Sequence, residues 1–181
     1  MALSHAILAT LLGGPANGYG LAKRFDRSVG YFWSATHQQI YRELAALEAA
    51  GYVESETVAQ TDRPTMKRYT LTPGGKRHLA EWIATPTEPG PLREDLLVKV
   101  RAASLVDPAT LAEQLRHARA TYADRLARYE ALKARDFPDP AALPREQRMH
   151  YLPLLRGLMF ETENVAWCDA ALALLTAPDP A

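Results

Sequence analysis

Thiol, net charge, long apolar runs and catalytic signatures are what this chain of 181 residues lacks. Cys168 is its one cysteine, so an intrachain disulfide is impossible and a reducing, cytoplasmic setting is expected. No apolar run approaches the roughly 20 residues of a bilayer-spanning helix, so no membrane partner is expected. The opening MALSHAILATLLGG has no basic residue ahead of its apolar stretch and reads as a first helix rather than a signal peptide. Twenty-one lysines and arginines against 21 acids give no net charge, which argues against indiscriminate nucleic-acid binding. HExxH, GxSxG and a P-loop are absent, Gly18 and Gly20 fit no phosphate-binding spacing, and the five histidines are scattered. Neither an enzyme, a metal nor a cofactor is expected.

Nearly half of the residues are hydrophobic (48%), enough for a buried core. From Trp33 to Gly51 the sequence WSATHQQIYRELAALEAAG has two unlike faces. Ile40, Leu44 and Leu47 form an apolar stripe at helical spacing. Ser34, Gln38 and Tyr41, flanked by His37 and Arg42, carry hydrogen-bonding groups elsewhere on the surface. Such a helix suits either reading of base edges in a DNA groove or an ordinary place on a protein surface. Ser34 or Thr36 is expected to cap it, and Thr36 with Gln39 has the spacing of a capping box.

Two helices precede it. One spans about Leu3 to Leu12 and stops at Gly13-Gly14-Pro15; the other is capped by Asn17 and buries Leu21 and Phe25. After Gly51, YVESETV (52–58) and MKRYTLT (66–72) are β-prone and flank a polar turn, predicting a hairpin that carries Arg63, Lys67 and Arg68. Thr72-Pro73 then opens a helix with Leu79, Trp82 and Ile83 as its buried stripe. Helix, helix, helix, hairpin, helix is the order of a winged helix-turn-helix, in which the third helix enters the major groove and basic groups hold phosphates. Residues 1–85 carry nine lysines and arginines against seven acids, so a DNA footprint must come from the placement of charge.

Pro86, Pro89 and Pro91 mark a stiff linker over 86–91. Beyond it, residues 92–181 read as helical. Leu92, Leu96, Leu97 and Val100 share one helix, and Asp107-Pro108 opens a long one through Arg135. Leu111, Leu115, Ala118, Tyr122, Leu126, Tyr129 and Leu132 keep a heptad-like seam along it. A last helix stops before Pro178. The seam is built to pack on another helix, in the same chain or in a second copy. The fold class is therefore mostly α with a small β-hairpin wing: a winged helix-turn-helix followed by a coiled-coil-like dimerisation domain.

The strings GYGLAKRF (18–25), FWSATHQQIYRELAALEAAGYV (32–53) and KRYTLTPGGKRHLAEW (67–82) resemble the PadR family of transcriptional regulators, over nearly the whole chain. The long C-terminal region, with HYL at 150–152 and NVAW at 164–167, is similar to the phenolic-acid-responsive branch. The resemblance implies a homodimeric repressor on a palindromic double-stranded operator, released by a small aromatic effector. It places DNA contacts on Ser34, Thr36, His37, Gln38 and Tyr41, with Tyr19 near the phosphates and Arg63, Lys67 and Arg68 on the wing. His150, Tyr151 and Arg156 are the residues suited to receive a phenolate or carboxylate. Thr36 stands where the branch tends to have lysine, and Pro153 is expected to kink the last helix or delay its start. Two alternatives remain open: a repressor of the same fold that answers hydrophobic drugs, and a winged helix that docks a protein and reads no DNA.

Overall fold

The computed structural model describes residues 2–31, 33–60, 63–88, 90–91 and 93–177, with the backbone alone at Ala2, Tyr31, Ala59, Gln60, Arg63 and Pro64. The chain divides into two units, residues 1–89 and 90–181.

In the first unit, α1 (Ala2–Leu11), α2 (Gly18–Asp26) and α3 (His37–Ala49) precede a hairpin of β2 (Val53–Gln60) and β3 (Arg63–Leu71), and α4 (Pro73–Ala84) follows. A two-residue strand β1 (Ala16–Asn17), which the sequence did not suggest, pairs antiparallel with β3 and makes the sheet order β1-β3-β2. Local chemistry sets the boundaries. The Asn17 side chain accepts from the Gly20 N–H, and Thr72 caps α4 ahead of Pro73. At the end of α3 the chain turns through Gly51 at φ 73°. There the Tyr52 N–H donates to the Leu47 carbonyl and the Gly51 N–H to that of Glu48, a Schellman closure that favours glycine.

Ile40 and Leu44 of α3 are fully buried, as are Ile7, Leu8, Leu21 and Phe25 of α1 and α2; Val53, Tyr69, Leu71 and Leu79 close the core from the sheet and α4. Stacked rings line one side: Tyr52 on His78 (4.2 Å), His78 on His5 (5.0 Å) and His5 on Trp82 (4.4 Å). The stripe expected on α4 is only partly buried. Leu79 is enclosed, but Trp82 is 43% and Ile83 67% exposed, because the last turn of α4 has cover on one side only.

The second unit contains α5 (Asp95–Arg101), α6 (Pro108–Asp136) and α7 (Arg145–Leu175), with 3-10 turns at Ala103–Leu105 and Pro140–Ala142. Leu92 lies outside the described residues, and α5 starts three positions after it. Asp107 caps α6 through the Ala109 N–H. The two long helices run antiparallel, since Arg119 pairs with Asp169 and Arg125 with Glu161. The seam of α6 therefore faces α7 of the same chain. Leu111 and Leu115 are buried on it, whereas Ala118, Tyr122, Leu126, Tyr129 and Leu132 are only half-buried. Pro153 lies inside α7, which begins at Arg145, so the late start does not occur. Pro153 has no N–H for the Met149 carbonyl, but buried Tyr151 and Leu154 hold the helix on either side of it.

Glu161 is 4% exposed; one oxygen lies 3.6 Å from Arg125 and the other has no hydrogen-bond partner. Burial raises its pKa above the usual carboxylate value, and Arg125 offsets this only in part. A raised carboxyl pKa costs stability as pH climbs from the ordinary value through the raised one. Glu161→Gln should therefore raise the melting temperature by a few degrees at pH 7, and the gain should vanish as the pH falls to 4, measured by thermal denaturation.

Candidate nucleic-acid interface

The polar face of α3 is set by what the helix buries. With Ile40, Leu44 and Leu47 in the core, His37, Gln38, Tyr41 and Arg42 are exposed. Thr36 is the N-cap: its hydroxyl accepts from the Gln39 N–H (3.2 Å), while the Gln39 side chain accepts from the Thr36 N–H (2.8 Å). The capping box read from the sequence is complete, and it occupies the Thr36 side chain. Ser34 lies two residues before the cap and is exposed. His37 Nε2 sits 3.2 Å from the Asp26 carboxylate at the end of α2.

At the start of α2, Tyr19 is 65% exposed, with the Lys23 ammonium 6.0 Å from its ring. Tyr41 packs over Gly18 so closely that a Cβ there would lie 2.2 Å from its ring. Glycine at position 18 therefore lets the two helices meet, and Tyr41, 45% exposed, keeps its outer edge in solvent. Tyr19, Ser34, Thr36, His37, Gln38 and Tyr41 thus all lie on α2, α3 or the turn between them.

The hairpin does not present its cations together. Successive residues of a strand point to opposite sides. Lys67 is opposite Thr57 in register and Arg68 opposite Glu56. Lys67 lies on the side of buried Tyr69 and Leu71 and donates to Glu48 of α3 at 3.2 Å. Arg68 is on the other side, 3.6 Å from Glu56. Arg63 opens β3, and its side chain lies outside the described residues, as do Thr61 and Asp62 of the turn. The sequence reading missed Glu48, Ser55 and Asp26. Glu48 was legible in part, because it follows Tyr41 by seven residues, two helical turns along one face. The Ser55 hydroxyl donates to Glu48, and these two bonds hold the Glu48 carboxyl below its usual value, the Ser55 bond contributing most.

In the second unit, His150, Tyr151 and Arg156 do not converge. Tyr151 is buried and packs on Phe137 (5.4 Å), Arg156 lies over Phe160 (5.1 Å), and His150 is exposed. Tyr122 donates to Glu94 (2.9 Å), and burial together with that bond pushes its pKa up to about 12. Cys168 is fully buried and its thiol pKa is raised by burial, the surroundings of an inert core cysteine. Among the described residues no three His, Cys, Asp or Glu side chains gather as a metal site requires, and no helix is long and apolar enough to cross a membrane.

Two family models match the chain: the transcriptional regulator PadR-like family over residues 7–81 and the virulence activator alpha C-term over residues 92–176. A probable transcriptional regulator of Mycobacterium tuberculosis is 42% identical over 93% of this chain and 95% of its own. The negative transcriptional regulator PadR of Bacillus subtilis is 31% identical over 96% and 97%. Its crystal structure in complex with operator DNA matches with a TM-score of 0.83 at 28% identity, covering 97% of this chain and 99% of that one. Its complex with p-coumaric acid gives 0.78 at 27%, covering 98% and 100%. The Vibrio cholerae virulence activator AphA gives 0.77 at 32%, covering 96% and 97%.

Because the Thr36 hydroxyl caps α3, Thr36→Ala should cost about 1 kcal/mol of stability and Thr36→Ser should restore most of it. Urea midpoints of the three proteins measure both.

Proposed function

The chain belongs to the PadR-like family of transcriptional regulators, and we propose that it is a dimeric repressor that leaves a palindromic operator when a small aromatic compound binds. The family consists of DNA-binding regulators, not enzymes. The observation that carries the proposal is the likeness, along almost the full length, to a negative regulator solved both on operator DNA and with p-coumaric acid.

The first unit supplies the reader. The exposed start of α3 enters the major groove, where His37 and Gln38 meet base edges; a glutamine paired in bidentate fashion with adenine discriminates by roughly 1–3 kcal/mol. Tyr19, Ser34 and Tyr41 stand beside the backbone, Thr36 contributes from the cap, and Arg63 and Arg68 supply wing charge. Such phosphate contacts are independent of sequence and sensitive to salt.

The second unit supplies the dimer. The helical unit leaves much apolar surface open: Leu105 is 85% exposed, Leu174 79%, Val98 69% and Met159 62%. Met149, Leu152, Met159, Phe160, Trp167 and Leu174 follow one side of α7, which ends at an apolar cleft of about 800 Å³ lined by Val100, Leu111, Leu115, Trp167 and Leu174. Surface of this extent marks an association site. A second copy satisfies it with two-fold symmetry and places two α3 helices over two half-sites. Release then needs only that the effector bind the DNA-free dimer better than the DNA-bound one; tenfold weaker operator binding corresponds to about 1.4 kcal/mol of such preference.

A duplex selected by the protein from random DNA serves as the operator probe. Its affinity should fall steeply with salt, and Gln38→Ala should weaken it at least fivefold while leaving a random duplex nearly unaffected. Affinity that ignores salt would point to a protein partner instead. Millimolar p-coumaric acid should weaken the selected duplex tenfold or more; weakening by hydrophobic drugs alone would replace the phenolic effector class. In sedimentation, Leu174→Glu should shift the dimer toward monomer.

A further inference from the structure

We propose that Glu48 is a positioning residue of the DNA-binding face, and that Lys67, held by it, braces the wing against α3 instead of gripping a phosphate. The inference rests on the DNA-reading function proposed above. Glu48 lies on the polar side of α3, two turns beyond Tyr41, and its carboxylate joins three elements. One oxygen accepts from the Ser55 hydroxyl on β2, and the Lys67 ammonium on β3 lies 3.2 and 3.5 Å from the two carboxylate oxygens. Ser55 is opposite Tyr69 in register, and Lys67 is two residues before Tyr69 on the same strand. All three therefore share the sheet side that faces the core, and Tyr69, 8% exposed, fills the space beneath them.

The capping and Schellman bonds fix the ends of the helix, and this carboxylate makes a side-chain cross-connection at mid-hairpin. Turning Lys67 toward a phosphate would break it and leave an unpaired carboxylate on the face that meets DNA. Retaining the pair keeps that face locally neutral and sets the angle between wing and recognition helix. Arg68, on the opposite side of β3 and 3.6 Å from Glu56, is the described wing cation left to meet phosphate.

A charge-neutral double variant tests this. Glu48→Gln with Lys67→Gln removes one charge of each sign and keeps the side-chain shapes close to the originals. With the brace lost, the ratio of affinities for the selected and random duplexes should fall about two- to fivefold, the scale of a partly exposed ion pair. The slope of log affinity against log salt should stay the same. A slope shallower by about 0.9, one phosphate contact, would make Lys67 a clamp and overturn the proposal, as would an unchanged ratio. Ser55→Ala, which alters no charge, should lower the ratio in the same direction. If the wild-type protein enriches no sequence, the DNA-reading function falls by itself. A double-mutant cycle of stability between Glu48 and Lys67 then decides, and zero coupling removes the brace.

Discussion

Burial of Ile40, Leu44 and Leu47 against α1 and α2 governs the rest of the first unit. Fully enclosed Leu21 and Phe25 leave α3 one orientation, because rotating the helix by a single residue would bring a polar side chain into the core at a cost of several kcal/mol. That one constraint turns His37, Gln38 and Tyr41 outward together. It also brings Tyr41 onto Gly18 and Glu48 over the hairpin, so the polar face is a by-product of the apolar one.

Electrostatics on this face work by placement. The chain has no net charge, and three polar side chains of this region have carboxylate neighbours: His37 with Asp26, Lys67 with Glu48 and Arg68 with Glu56. These pairs are largely exposed, so each adds little to folding stability. Their effect is to orient side chains and to damp the long-range field that would draw the protein to any DNA. A surface compensated in this way depends on shape and hydrogen bonding for its selectivity.

The helical unit solves a different problem. Its described buried side chains are few, and the contiguous core cluster belongs entirely to the first unit. Two helices of 29 and 31 residues meet along a seam that narrows from buried Leu111 and Leu115 to half-buried Tyr129 and Leu132. An incomplete seam of this kind leaves apolar side chains such as Leu126 and Leu132 only half covered within the chain. Glu161 is buried there with an unpartnered oxygen, and burial holds its carboxyl above the usual value despite Arg125.

What the sequence determined by itself is the local chemistry. Asn17, Thr36 with Gln39, Thr72-Pro73 and Asp107-Pro108 each bound a helix through hydrogen bonds that span two or three residues, and the stripe of α3 follows from period alone. These features are legible because cause and effect lie within one turn. The motif strings carried the family for the same reason that they carried the elements. Tertiary structure decided what depends on distant partners. Strand β1 exists only because β3, some fifty residues later, offers an edge to pair with. Trp82 and Ile83 fit the period of a buried stripe, yet their exposure depends on where the cover of α4 stops. Lys67 and Arg68 are neighbours in sequence with one charge and one apparent role. The pleat sends them to opposite sides of the wing, and only the approach of α3 turned Lys67 into a partner of Glu48.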